Sequence, residues 1–289
     1  MTDRWPLSAF ADEIAVDLEE QVETLSAERV GHVELRSAWG VNVVDLGPER
    51  LRRAVHVLRE AGIGVSAVGS PVGKAPVDGD LQHELRRFRA ALEAADALGT
   101  GLIRVFSFFV TDGRYAEQRD EVLRRMSALA TEAEANGVTL VHENESYIYG
   151  DTPGRCRDLV DSVASPALRL AFDPANFVQA GVRPHAEAWP LLADHVAHFH
   201  VKDAVTVDRQ GGPSYPAPAP ELALMGSVRL PGEGEGQLPE LLGELASRGY
   251  AGFLTIEPHL AFRMPEASGA ERFAAATRAL RGLVDALDG

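Results

Sequence analysis

The feature that most restricts how this chain can fold is a regular alternation of short apolar runs with longer amphipathic ones. Strand-like runs occupy residues 7–10, 32–35, 65–68, 102–106, 139–142, 169–172, 197–201 and 253–256. Apolar residues three and four apart mark helices over 16–28, 49–61, 81–98, 119–136, 155–164, 187–194, 238–248 and 270–287. Each helix thus has one greasy face to bury against a neighbour. Eight βα units in strict succession predict a parallel sheet closed into a (β/α)8 barrel rather than an open, doubly wound sheet. Gly62, Gly137 and Gly249 follow three of the helices, as a left-handed helix terminus requires. No Gly-x-Gly-x-x-Gly follows the first strand, so a dinucleotide site lacks its phosphate loop.

One stretch breaks the rhythm. Residues 204–236 carry Pro213, Pro216, Pro218, Pro220 and Pro231 with several glycines and few periodic apolar positions. They follow the seventh strand, on the face where barrel loops carry chemistry, and are read as a substrate-covering loop; the alternative is a surface excursion or a subunit contact. The run from Pro231 to Gly236 is too acidic for a phosphate-binding P-loop and lacks its lysine.

At 289 residues and 45% apolar content the chain suits one large barrel or two modest domains; with no Gly/Ser linker, a single domain over 1–289 is expected. Neither a membrane-length apolar run nor a charged-then-greasy leader occurs, so a soluble, cytoplasmic protein with no membrane partner is expected. Cys156 is the sole cysteine, which excludes an intramolecular disulfide or cysteine-based zinc site, and its Arg-Cys-Arg setting reads as a helix surface. With 43 acidic against 28 basic residues the net charge is −15, which repels a phosphate polymer. The pairs Arg52 and Arg53, Arg86 and Arg87, and Arg124 and Arg125 fall in helical patterns and read as solvated faces, leaving nucleic acid excluded as a partner. Association into a homo-oligomer is left open, since nothing in the sequence fixes an interface.

Four apolar runs end on side chains that bind metals. Glu143 closes the fifth run, Asp173 the sixth, His200 the seventh and Glu257 the eighth, so a closed barrel would bring all four to one half of its rim. Singly, each is explained by an ion pair or a helix cap. Acids and imidazoles at four successive strand ends fit one shared site better than four separate pairs. Three carboxylates crowded together repel unless a cation relieves them. The donor set, hard to borderline and free of sulfur, suits Mn²⁺ first, then Co²⁺ or Mg²⁺, with Zn²⁺ also admitted. His198 shares a strand face with His200 but sits deeper, and is read as a satisfied core histidine.

The segments Val141-His142-Glu143-Asn144, Phe172-Asp173-Pro174, His200-Val201-Lys202-Asp203 and Thr255-Ile256-Glu257-Pro258 resemble the metal-site motifs of the xylose isomerase-like sugar phosphate isomerase/epimerase superfamily. Glu34 and Arg36 at the second strand, residues 70–74 after the third and residues 249–253 before the eighth extend the likeness over nearly the whole chain. The resemblance implies a metal-dependent isomerase or epimerase of a ketose, inosose or related keto-sugar, working through a metal-stabilised enediolate. Glu143, Asp173, His200 and Glu257 would be the ligands. Glu143 and Glu257 would also exchange the proton, one removing it and the other returning it. Asn176, Lys202, Lys74, Glu34 and Arg36 are the corresponding substrate-binding candidates.

There are departures. Asn176 stands where ketohexose epimerases have a histidine, and Thr206 where they have an arginine, so hydroxyl recognition must differ. The same metal and glutamate pair would make a lyase or dehydratase if the substrate carried a leaving group beta to the abstracted proton. A phosphodiesterase of the endonuclease IV kind needs further histidines, where this chain has Asn176, Asp208, Gln210, Gly69 and Ser70. A metal-binding protein without turnover would not need two opposed glutamates.

Overall fold

In the computed structural model, residues 4–207 and 220–288 are described. Eight parallel strands build the barrel: β1 Leu7–Ala9, β2 His32–Leu35, β3 Gly64–Val68, β4 Leu102–Val105, β5 Thr139–Glu143, β6 Leu168–Phe172, β7 Val196–Val201 and β8 Leu254–Ile256. Hydrogen-bonded neighbours run in chain order from β2 through β8, and β8 pairs in turn with β1, which lies beside β2 at the remaining seam. The outer ring is α1 Leu18–Ala27, α2 Gly47–Glu60, α3 Leu81–Leu98, α4 Tyr115–Ala135, α5 Pro153–Val163, α6 Pro174–Gln179, α7 Trp189–Leu192, α8 Pro220–Ser227, α9 Leu238–Ser247 and α10 Gly269–Asp285. Among the described residues no helix is long and apolar enough to cross a membrane.

Local chemistry explains where these elements start and stop. Asp17, Asp80 and Ser268 cap α1, α3 and α10 through their side chains, and Ser268 forms a full capping box with Glu271. Gly62, Gly137 and Gly249 take φ of +68°, +66° and +66°, the left-handed turn expected of them. The helix expected over 187–194 is instead a π turn, Pro184–Ala188, running into the single turn of α7; Pro190 restarts the hydrogen-bond pattern there. Between the strands and the helix ring lies a continuous apolar core, with Phe88, Phe108, Phe172, Phe199 and Phe273 among its largest members.

The barrel interior is different. Its upper half is lined by Ser8, Glu34, Ser66, Arg104, His198, His200 and Thr255, all buried, where barrels of this type commonly stack branched aliphatics. Ser8 and Ser66 hydroxyls meet at 2.6 Å across β2, which shows that these side chains point inward.

Two surface readings are corrected. Cys156 is buried on the inner face of α5, where its thiol donates to the Gly150 carbonyl at 3.1 Å and burial pushes its pKa well up, so it is no exposed thiol. Arg125 is also buried: it donates to Glu121 and to the Gly79 carbonyl, tying α4 to the loop before α3.

Of the stretch 204–236, Pro213, Pro216 and Pro218 lie outside the described residues, as do Asp208 and Gln210. The rest is ordered by a small hairpin, Asp203–Ala204 against Val228–Arg229, and by α8, a helix the proline content gave no reason to expect.

Candidate metal centre

Parallel strands bring the fifth to eighth strand ends together, and four side chains converge there. Glu143 is the last residue of β5, while Asp173, His200 and Glu257 lie at or just past the ends of β6, β7 and β8. One ligand atom from each falls within 4.8 Å of all the others, and all four residues are buried. His200 Nδ1 lies 3.7 Å from Glu143 Oε1 and 3.9 Å from Asp173 Oδ2. His200 Nδ1 is buried without a hydrogen-bond partner, and Asp173 Oδ2 facing it meets the Lys202 ammonium at 2.8 Å. A buried nitrogen left so is costly, and one that faces two carboxylates fits a cation between them.

The imidazole is aimed from below. Glu34 Oε2 accepts from His200 Nε2 at 3.2 Å and from His198 Nε2 at 2.7 Å, with Thr255 Oγ1 2.9 Å from the latter nitrogen. Donating Nε2–H to Glu34 leaves Nδ1 as the nitrogen facing the acids, the one a metal would bind once its proton is lost. Glu34, expected at the substrate, is instead fully buried beneath the site. His198 occupies the core position expected of it and shares the same carboxylate.

The remaining braces are cations. Arg104 donates to Glu143 Oε2 at 2.9 Å and to the Gly69 and Ser70 carbonyls at 3.2 and 3.3 Å. Asn176 donates to Glu143 Oε1 at 3.1 Å and to the Asn144 carbonyl at 2.8 Å. Asn144 and the Asp173 backbone exchange two hydrogen bonds of 2.9 Å, which locks β5 to β6 at the site. Arg36, stacked on Phe10, donates to Glu257 Oε1 at 3.1 Å and to Asp12 at 2.8 Å. His259 holds the same Glu257 oxygen at 3.0 Å and faces Glu13 at 3.2 Å. Lys202 Nζ sits 2.8 Å from Asp173 Oδ2 as an ion pair and donates to Glu257 Oε2 at 3.1 Å. Lys74, the most exposed of the expected residues, pairs with Glu145 at 3.1 Å over the Phe106 ring.

These neighbours set the charge states. Burial opposes ionisation of Glu143, but His200 and Arg104 beside it hold its carboxyl down to about 2. Glu257 is also buried, and Lys202, His259 and Arg36 hold it well below the usual carboxylate range. For Asp173 burial wins over the Lys202 charge, and with Glu257 and Glu143 adding to it the carboxyl rises to about 6. Burial works against the imidazolium of His200, but the charges of Glu34 and Glu143 push it up to about 10. Without a metal the cluster thus balances its acids with a protonated histidine, a lysine and two arginines.

A cavity of about 320 Å³ opens onto this cluster, lined by Asn176, Lys202 and His259 on its inner side and by Lys74, Glu145 and residues of α8 further out. A larger groove of about 720 Å³ lies between α3 and α4, with Arg89, Glu93 and Glu132 on its walls, far from the strand ends that carry the acids.

A family model for the xylose isomerase-like TIM barrel matches residues 28–281. The chain belongs to the xylose isomerase-like TIM barrel family. A 2-epi-5-epi-valiolone 7-phosphate 2-epimerase from Actinoplanes sp. is 32% identical over 201 residues, covering 66% of this chain and 66% of that enzyme. Two solved structures share the fold. A probable 3-DHS dehydratase from Bacillus anthracis has a TM-score of 0.73 at 14% identity, covering 96% of this chain and 98% of its own. A xylose isomerase-like TIM barrel protein from Mycobacterium smegmatis, in complex with magnesium, has a TM-score of 0.70 at 17% identity, covering 98% of each chain. Within this family fold, Asn176 is committed to hydrogen bonds with Glu143 and Asn144, and the Gly69 and Ser70 carbonyls to Arg104.

Arg104, His259 and Glu13 escaped the sequence reading. Arg104 had a signal: a charged residue inside the apolar run of β4 needs a buried counter-charge. Glu13 had none, because its partner His259 is 246 residues away.

Proposed function

We propose that this chain is a divalent-metal-dependent isomerase or epimerase of a keto-sugar. One observation carries the reading: ligand-type side chains from four consecutive strand ends converge within 4.8 Å, and His200 among them keeps a buried nitrogen without a hydrogen-bond partner. Glu143, Asp173, His200 and Glu257 would hold the ion, Mn²⁺ being favoured by three carboxylates and one imidazole, and when bound it would supply the positive charge that acidifies a carbon next to a carbonyl. Glu143 and Glu257 come from β5 and β8 with two strands between them, so a sugar lying across the cluster meets a carboxylate at each end. One removes the carbon-bound proton and the other delivers a proton to the opposite face, which inverts the centre.

The braces suit this division of labour. Glu143 is gripped at both oxygens by Arg104 and Asn176. Glu257 is held at Oε1 by Arg36 and His259, so Oε2 is the oxygen turned toward Lys202 and the cavity side of the site. Lys202 is placed to donate to a substrate oxygen once substrate competes for it. The name of the Actinoplanes relative favours epimerisation over elimination as the outcome.

The test is wash-in of solvent deuterium at the carbon beside a ketose carbonyl, with Mn²⁺-loaded protein. Glu143→Gln and Glu257→Gln should each lower exchange by roughly 10²–10⁴-fold, the usual worth of a positioned acid or base. Exchange untouched by either change removes the pair from the mechanism, and an unsaturated product or a released substituent marks a lyase instead.

A further inference from the structure

The cavity has two unlike sides. Its inner side is the charged cluster; its outer side is formed by Phe109, Tyr147, Leu224, Met225 and Val228, with the last three contributed by α8 and the hairpin behind it. Every cation on the described wall already faces a carboxylate. Lys74 is 3.1 Å from Glu145, Lys202 is 2.8 Å from Asp173 and 3.1 Å from Glu257, and His259 is 3.2 Å from Glu13 and 3.0 Å from Glu257. The Gln179 amide, the neutral donor closest to α8, is committed to the Leu224 carbonyl and the Ser227 hydroxyl.

A phosphate dianion needs the reverse arrangement, several donors or cations converging without acids beside them. Here it would meet Glu145 beside Lys74 and Glu13 beside His259, each cation of the outer wall and rim already holding an acid. An apolar group gains from the same wall, because burying it against Phe109, Leu224 and Met225 removes hydrocarbon surface from water on both partners. A volume of about 320 Å³ is at the lower end of the roughly 300–1,000 Å³ typical of small-molecule sites, room for one sugar ring and a compact substituent.

Resting on the keto-sugar reading above, we infer that the substrate is a non-phosphorylated sugar carrying an aryl or alkyl substituent, seated on Phe109, Tyr147, Leu224, Met225 and Val228. This departs from the Actinoplanes relative, whose name specifies a 7-phosphate.

Calorimetric binding to the full chain loaded with Mn²⁺ tests it, using phenyl glucoside, glucose and glucose 6-phosphate as unreactive probes. The phenyl glucoside should bind about tenfold tighter than glucose, as burial of an aromatic ring predicts, and the phosphate no tighter than glucose. Leu224→Gln with Met225→Gln, both at partly exposed positions, should erase the phenyl advantage and leave glucose binding unchanged. The phosphate binding tightest, equal binding of all three, no binding of any, or a phenyl advantage that survives the double change each overturns the inference. Its failure is separable from that of the proposed function. A phosphate preference with glutamate-dependent deuterium exchange sinks only the substituent, whereas a phenyl preference without exchange on any ketose sinks only the chemistry.

Discussion

At the scale of single residues, the site depends on Glu34 as much as on the four proposed ligands above it. Its carboxylate fixes which nitrogen of His200 faces the acids, and losing such a partner commonly costs about 10–100-fold in metal affinity. Glu34→Gln should therefore weaken Mn²⁺ binding by about that factor in a competition titration, with the fold retained by circular dichroism. Protonation makes a second prediction. The folded pKa of His200 is raised from 6.5 to about 10, so the stability it lends the metal-free protein is complete below 6.5 and lost as pH rises through 10. Asp173 is raised from 3.8 to about 6, so its favoured form is the protonated one, and that contribution is present below 3.8 and lost as pH rises through 6. A cation competes with both protons. Metal binding should then release about one proton at pH 7, from His200, and about two at pH 5, when Asp173 joins it. Calorimetry in buffers of different ionisation enthalpy counts these protons, and zero at both pH values contradicts the assigned ligands. Glu143, Asp173, His200 and Glu257 stood out in the sequence because each ends an apolar run. Their braces were less visible, since Arg36, Glu13 and His259 meet Glu257 only through the closure of the barrel.

At the scale of elements, the most informative piece is the acidic glycine run, whose amides wrap an internal anion. Asp203 Oδ2 accepts from the backbone N–H of Gly232 and Gly234, at 2.8 and 3.0 Å, and Oδ1 accepts from Gly236 and Ala204, at 2.8 and 2.9 Å. A Cβ at Gly234 would collide with Asp203 Oδ1 and the Ala204 carbonyl, so side chains are excluded there by contact. Hydrogen bonds to a charged group are worth about 1.5–3 kcal/mol each, so Asp203→Ala should destabilise the protein by at least about 2 kcal/mol in urea unfolding. Amides 232–236 should also lose hydrogen-exchange protection; full protection in the variant refutes the role given to this carboxylate. The sequence showed that no phosphate loop could form here but not what the glycines hold, because the anion stands 29 residues before Gly232, at the start of the same excursion. Strand and helix positions were legible to within a few residues because periodicity is local. The π turn before α7 and the helix of α8 were not, since proline chemistry and packing decide them against the local pattern.

At the scale of the whole molecule, the barrel holds charge where its relatives in architecture commonly hold hydrocarbon. Glu34, Arg104, His198 and His200 fill the upper lumen, and the acids above them are balanced by Lys202, Arg36 and Arg104. A cation should add to this balance. At about 100 times its Kd, Mn²⁺ should stabilise the chain by about 2.7 kcal/mol. That corresponds to a rise in Tm of roughly 4–5 °C, reversed by chelator, and a Tm indifferent to both additions tells against the metal site. The barrel ring, closed through β8 and β1, is the part of the fold that strand counting could foresee, whereas the filling of its lumen depended on which face of each short strand turned inward. The outer wall of the cavity stands apart from that framework. Beyond β7 the chain passes out through Asp203–Ala204 and comes back through Val228–Arg229, and the N–H of Val205 donates to the Ser227 carbonyl at 3.0 Å, so the two ends of the excursion touch. A segment spliced between these two points would therefore leave the buried acids and their braces in place, making residues 205–227 a natural cassette for reshaping the cavity's outer wall.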